Sequence, residues 1–267
     1  MVWGLKIKAF LVAAALCGVA QAHGAPLFDN GTAICTDFAL LPFWQKVLTD
    51  APAADTFIVE AAPAFAVATV IPTGTAANVA PASLPITFNI GLPAGCAEER
   101  HCAPAEWLTF LATQAGQPRR AQLDAVNRWA NARPYVEDWV NWQVSDYWET
   151  PGEFIARGGD CEDFAIAKYF SLVRLGFPVH DLRIVVVSDT LTHGFHAVLA
   201  VRLDGAVWLL DNLLPQAVPM ESQPQYVPVY SLNGEGWWMH ANPTIQLAGI
   251  TITAAPIAST PSRLARN

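Results

Sequence analysis

Apolar positions recur at helical spacing from Pro104 onward and switch to strand-like runs after Pro178. Pro104 to Ala115 carries Trp107, Leu108 and Leu111 with a proline in its first turn, and Arg119 to Ala132 carries Leu123, Val126 and Trp129 at steps of three. Pro134 stops the second helix. Tyr135, Trp139, Trp142, Tyr147 and Trp148 then form an aromatic, loop-like stretch that reads as a layer of core. Asp160 is a good N-cap with Asp163 three positions on, and the helix they open runs to Leu175 before Gly176 and Pro178 end it. Phe164, Ile166, Ala167, Phe170, Leu172 and Leu175 spread around that helix, which is therefore expected to be buried and central. Leu182 to Ser188, Phe195 to Leu203 and Ala206 to Leu213 follow as strands, the last two joined by Asp204-Gly205, a dipeptide suited to a two-residue hairpin turn. Val227 to Leu232 and Gly236 to His240 flank Asn233-Gly234 as a further hairpin. A central helix followed by antiparallel strands predicts an α+β fold.

Upstream the pattern dissolves. The stretch from Ala51 to Gly95 is rich in alanine and proline, and pieces such as Thr56 to Val59 and Ile86 to Ile90 read as short or edge strands among loops. Lys6 and Lys8 precede the apolar run Ala9 to Ala20, and Ala20-Gln21-Ala22 places small residues where a signal peptidase reads. Residues 1–22 are thus expected to be a cleaved export signal; a lipoprotein anchored at Cys17 is the rival, disfavoured by Leu16 before it. The expected organisation is signal 1–22, an alanine- and proline-rich segment 23–103, a main domain 104–245 and a disordered tail 246–267.

Composition narrows the partners. Hydrophobic residues make up 53% of the 267 and charged ones 14%, yet no later run reaches the roughly 18 apolar residues of a spanning helix, so no membrane insertion is expected. The net charge of −8, more negative once Lys6 and Lys8 leave with the signal, disfavours nucleic acid and anionic membrane. In an oxidising compartment Cys35, Cys96, Cys102 and Cys161 suggest disulfides; Cys96 and Cys102 are the expected pair, leaving Cys35 and Cys161 bonded to each other or free.

The stretch GGDCEDFAIA, Gly158 to Ala167, carries the chemistry. Cys161 falls in the first turn of the central helix, where unpaired amides favour a thiolate, and the two glycines before it leave the approach open. The acids around it oppose the thiolate, so a base is required. His193 and His196 are the candidates, and the hairpin register chooses between them. With Asp204-Gly205 as the turn, His196 faces Leu213 and Asp211 faces Val198, so His196 and Asp211 are diagonal neighbours on one face, while His193 has the opposite parity. Cys161, His196 and Asp211 then fit nucleophile, general base and orienting acid. The Cys161 amide is a natural oxyanion donor, with a second donor expected from a side chain between Gln143 and Trp148.

Tyr147-Trp148-Glu149-Thr150-Pro151-Gly152-Glu153-Phe154, then GGDCEDFAIAKYFSLVRLGFP, HGFHAVLAV and VWLLDNL, resembles the bacterial transglutaminase-like cysteine peptidases, from about Ala121 to Trp238. The resemblance implies a papain-like, transglutaminase-core fold and a Cys, His, Asp order that falls on Cys161, His196 and Asp211. The best-known members are periplasmic, calcium-dependent proteases that cut large surface adhesins and are held inactive by an inner-membrane cyclic-di-GMP receptor. It therefore implies a periplasmic enzyme with a protein substrate, a regulatory receptor and a Ca2+ site on Asp160, Glu162 and Asp163, which otherwise read as helix caps. The alternatives from the residues alone are an acyltransferase using the same triad and a catalytically silent module binding peptide or calcium.

Overall fold

The computed structural model describes residues 27–28, 35–51 and 104–240, together with the backbone of 245–247 and 250–252. The expected signal at 1–22, the short strands between 52 and 95, Cys96, Cys102 and most of the tail lie outside the described residues. No helix among the described residues is long and apolar enough to cross a membrane.

Among the described residues six α-helices precede the sheet: α1 (Pro42–Asp50), α2 (Ala105–Gln114), α3 (Arg119–Asn131), α4 (Asp138–Trp142), α5 (Pro151–Arg157) and α6 (Cys161–Arg174). The helices α2, α3 and α6 lie where the periodicity puts them. The others were not foreseen, and two of them have a plain local cause. Pro42 begins α1 with a residue whose missing N–H costs nothing at a helix start, and Thr150 and Glu153 cap α5 reciprocally, each accepting from the other's backbone N–H. The expected aromatic core layer splits: Trp148 is buried, whereas Tyr135 and Trp139 are 56% and 62% exposed.

The sheet comprises β1 (Leu182–Asp189), β2 (Gly194–Leu203), β3 (Ala206–Leu210), β4 (Val218–Pro219), β5 (Tyr226–Leu232) and β6 (Trp237–Met239). Its order is β4-β3-β2-β1-β5-β6, with every neighbouring pair antiparallel. Asp204 and Gly205 both take positive φ, 53° and 78°, as a two-residue hairpin turn of the right twist requires. The register that follows pairs Leu203 with Ala206 and Leu199 with Leu210. There the ladder ends, three residues short of the expected Leu213, because the backbone turns away at Asp211.

Helix α6 packs on β2 and β1, with α3 and α5 behind it, and is buried along nearly its whole length. Alternation divides the sheet into two faces. Ile184, Val186, Ala197, Leu199 and Val201 join α6 in the main core, while Val185, Val187, Val198, Ala200 and Tyr226 line the other face with Leu27 and Phe28. Cys35 to Ala51 belongs to the main core: Cys35 bridges Trp237, and the Trp44 indole donates to the Asn233 carbonyl at 3.0 Å. Cys35 is disulfide-bonded, whereas Cys161 is in no disulfide and keeps its thiol. The expectation that these two pair, or that Cys35 is unbonded, is therefore corrected.

Candidate active site

Cys161 is the first residue of α6 and is buried. The glycines before it do something other than clear an approach. Gly158 has φ +75°, and a Cβ there would strike the Pro134 carbonyl; a Cβ on Gly159 would strike the Asp163 carboxylate. Pro134 to Val136 can thus lie against Gly158-Gly159, with the Val136 amide donating to the Gly159 carbonyl at 2.9 Å. Asp163 closes the helix start: one carboxylate oxygen accepts the Asp160 N–H at 3.0 Å and the other the Glu149 N–H at 2.8 Å.

The acids beside Cys161 are part of a larger cluster. Asp160, Cys161 and Glu162 form one group whose ligand atoms lie within 4.8 Å of one another; Asp138, Asp146 and Glu162 form a second, and Asp138, Asp160 and Asp163 a third. Asp138, from α4, and Asp146 were missed by the sequence reading. Burial, and after it the charges of Glu149 and Asp160, pushes the Asp163 carboxyl well above the usual range. Burial pushes Glu149 up to about 8 against the hydrogen bonds it accepts from Trp142 and Asn141. Crowded, desolvated carboxylates of this kind fit a hard cation with oxygen ligands.

The Cys161 thiol donates to Glu162 Oε2 at 3.3 Å. The phenol of the buried Tyr230 is pushed up, first by burial and then by the charges of Asp146 and Cys161. In the stretch expected to supply a second oxyanion donor, the Gln143 amide is spent on the Trp139 carbonyl at 2.8 Å and the Tyr147 hydroxyl on Glu153 at 2.9 Å.

His196 and Asp211 meet as the register requires, with His196 Nε2 2.8 Å from Asp211 Oδ1. Asp211 is fully buried and also accepts from the Leu213 amide at 2.9 Å and the Tyr226 hydroxyl at 2.9 Å. Burial raises its pKa, but the hydrogen bond and charge of His196, the Leu213 amide and the Tyr226 hydroxyl outweigh that and hold the carboxyl below its usual range. On α3, Asn131 donates to the Asp211 carbonyl at 2.8 Å, and Asn127 and Asn131 both donate to the Leu214 carbonyl, fastening the loop. His193 sits in the exposed β1–β2 turn at φ 56°. Tyr226, on β5 two strands away from β2, was also missed.

Parity separates the halves of the site. His196 pairs with Val187 and lies two residues from Val198, so its ring leaves β2 on the face of Val187, Val198 and Tyr226. Cys161 belongs to the core on the other face. Because β3 stops at Leu210, the segment Gly194 to Val198 has no strand beside it on that edge among the described residues.

No curated protein matches the chain. Among solved structures, Legionella pneumophila LapG is similar at 36% identity and a TM-score of 0.46, covering 50% of this chain and 74% of that one. Its calcium-bound form is similar at the same identity and score, with 76% of that chain covered. A chain from Cytophaga hutchinsonii described as a cysteine protease is similar at 17% identity and a TM-score of 0.34, covering 49% of this chain and 48% of that one. The model of a family described as bacterial transglutaminase-like cysteine proteinase matches residues 84–245, more than half of the chain, and the protein belongs to that family of cysteine peptidases.

Proposed function

We propose that the protein is an exported endopeptidase in which Cys161 is the nucleophile, His196 the general base and Asp211 the acid that orients it. The observation that carries this reading is the 2.8 Å pair of His196 with the buried Asp211, in a protein whose central helix opens on the thiol of Cys161. With Nε2 held by Asp211, Nδ1 is the ring nitrogen left to exchange a proton with sulfur. Thiol and imidazole would meet around the open edge of β2, past the end of β3.

His196 takes the thiol proton, the sulfur attacks the scissile carbonyl, and the Cys161 amide at the helix start donates to the oxyanion. His196 returns the proton to the leaving amine, and water then releases the acyl group from the sulfur. The thiol's bond to Glu162 must be given up for the proton to pass to His196.

Asp138, Asp146, Asp160 and Glu162 would hold a calcium ion, with Asp163 as the cap that fixes them. When bound, the ion supplies positive charge and rigidity beside the nucleophile. The substrate is read as a large surface adhesin in the periplasm, with an inner-membrane receptor as regulator, on the strength of family membership. Incubating the protein with the outer-surface protein fraction of its host, alongside Cys161→Ala and a calcium chelator, tests this. One large protein cut only by the untreated wild type is expected; no cleavage with calcium present would overturn it.

A further inference from the structure

The β2–β3 pairing brings the chain to Asp211 but does not hold it there. It ends at Leu199 and Leu210, and the next residues turn away from the sheet, with the Leu214 N–H donating to the Asp211 carbonyl at 3.3 Å. The grip on this turn comes from another element. Helix α3 carries Arg120, Asp124, Asn127 and Asn131 at steps of four, three and four, which is one stripe of a helix. Each of the four bonds to the backbone of the segment 211–217. Arg120 donates to the Ala217 carbonyl at 2.8 Å, and Asp124 accepts the Ala217 N–H at 3.0 Å. Asn127 donates to the Leu214 carbonyl at 2.8 Å, and Asn131 donates to the Leu214 and Asp211 carbonyls at 2.9 and 2.8 Å. The adjoining stripe of α3, Leu123, Val126 and Ala130, is buried in the main core, where α3 packs on α6.

We propose that Asn131 is a positioning residue of the peptidase site, and that α3 is a splint between the helix of the nucleophile and the loop of the acid. This rests on the Cys161, His196, Asp211 reading above. Asn131 touches no reacting atom; of the four stripe residues it is the one that bonds Asp211 itself. Its side-chain amide does for the Asp211 carbonyl what a ladder partner does for a residue inside the sheet. The need for it is geometric. A group in a catalytic constellation has to be held within about 0.5 Å, and the short aspartate side chain passes any movement of its own backbone on to the carboxylate. A shift of that size at the Asp211 carbonyl would open the 2.8 Å contact of Oδ1 with His196. A buried carbonyl also calls for a donor on grounds of stability alone, and the two roles differ in what their loss does to the thiol.

The test compares Asn131→Ala with Asn127→Ala in the full chain, by the rate at which iodoacetamide labels Cys161 near neutral pH and by the thermal midpoint. Both variants place alanine in the same helix and remove a bond to Leu214, so the difference between them reports on the Asp211 carbonyl. Asn131→Ala should label about tenfold more slowly than wild type, the scale of one lost hydrogen bond, and Asn127→Ala within about twofold of it, although both melt lower. On a cleavable protein substrate the Asn131→Ala loss should fall on kcat and leave KM in place. A wild-type labelling rate in Asn131→Ala would overturn the proposal, as would equal losses in the two variants, which would mark a structural clasp. A wild-type thiol labelled no faster than in the denatured chain would remove the triad reading and this proposal with it, a result seen without any Asn131 variant. If either alanine variant loses its cooperative transition, Asn131→Ser and Asn127→Ser, whose hydroxyls stop short of these carbonyls, carry the same comparison.

Discussion

His196 and Asp211 sit 2.8 Å apart although fourteen residues lie between them, because a two-residue turn sets the register that makes them diagonal neighbours. Three donors hold the carboxylate: His196 and the Leu213 amide share Oδ1, and Tyr226 takes Oδ2. Asp211→Asn would aim an amide N–H at one of these donors. We expect kcat to fall by about 100-fold or more with KM little changed, as in a His held in the wrong tautomer. Steady-state kinetics on a cleavable protein substrate would measure it.

Tyr226→Phe removes one donor of three and leaves the other two. A milder loss is expected, about tenfold in kcat/KM. Because the carboxyl becomes easier to protonate, the acid limb of the rate profile should also move up. A pH series on the variant reads both effects together.

Gly159→Ala drives a methyl group into the Asp163 carboxylate, which bonds the Asp160 and Glu149 amides. Losing that cap should cost about 1–3 kcal/mol, visible as a lower thermal midpoint, and Cys161 should lose reactivity with it. Gly116→Ala, at φ +77° with nothing within 4 Å of its Cβ, meets the strain of a positive φ but no clash, and should cost less.

Stability should depend on Lys168 in a defined pH window. Its folded pKa, depressed by burial to about 7, lies below its unfolded value, so between them the unfolded chain binds the extra proton. The folded state therefore gains stability as pH rises from about 7 toward 10, and loses it as pH falls. Urea midpoints of wild type should climb relative to Lys168→Met across that window.

Calcium should raise the thermal midpoint of the wild type in proportion to occupancy, and a chelator should reverse it. Asp146→Asn and Glu162→Gln should each weaken the response, because both carboxylates face the same point as Asp138. Calcium titration followed by differential scanning fluorimetry would show this.

What was legible in the sequence was local. Asp204-Gly205 determines a turn, the turn determines a register, and the register places His196 beside Asp211; Asp160 and Asp163 mark the helix start that carries Cys161. What was not legible depends on chain segments meeting. Asp138 and Asp146 reach Glu162 only because α4 folds back onto the start of α6, and Tyr226 reaches Asp211 from β5 across β1. The split in the aromatic stretch, Trp148 inside and Trp139 outside, follows from the same packing. Lys168 could have been found: a lysine seven residues after the nucleophile, in a helix apolar on most sides, has to be buried.

The central claim is that Cys161, His196 and Asp211 act as one unit across the edge of β2. Its most direct test is the iodoacetamide labelling rate of Cys161 at pH 6.5, read by peptide mass, in wild type, His196→Ala and the denatured chain. Labelling of the wild type well above the denatured rate, and lost in His196→Ala, is the predicted result. Equal rates in folded wild type and His196→Ala would show that the imidazole never reaches the sulfur.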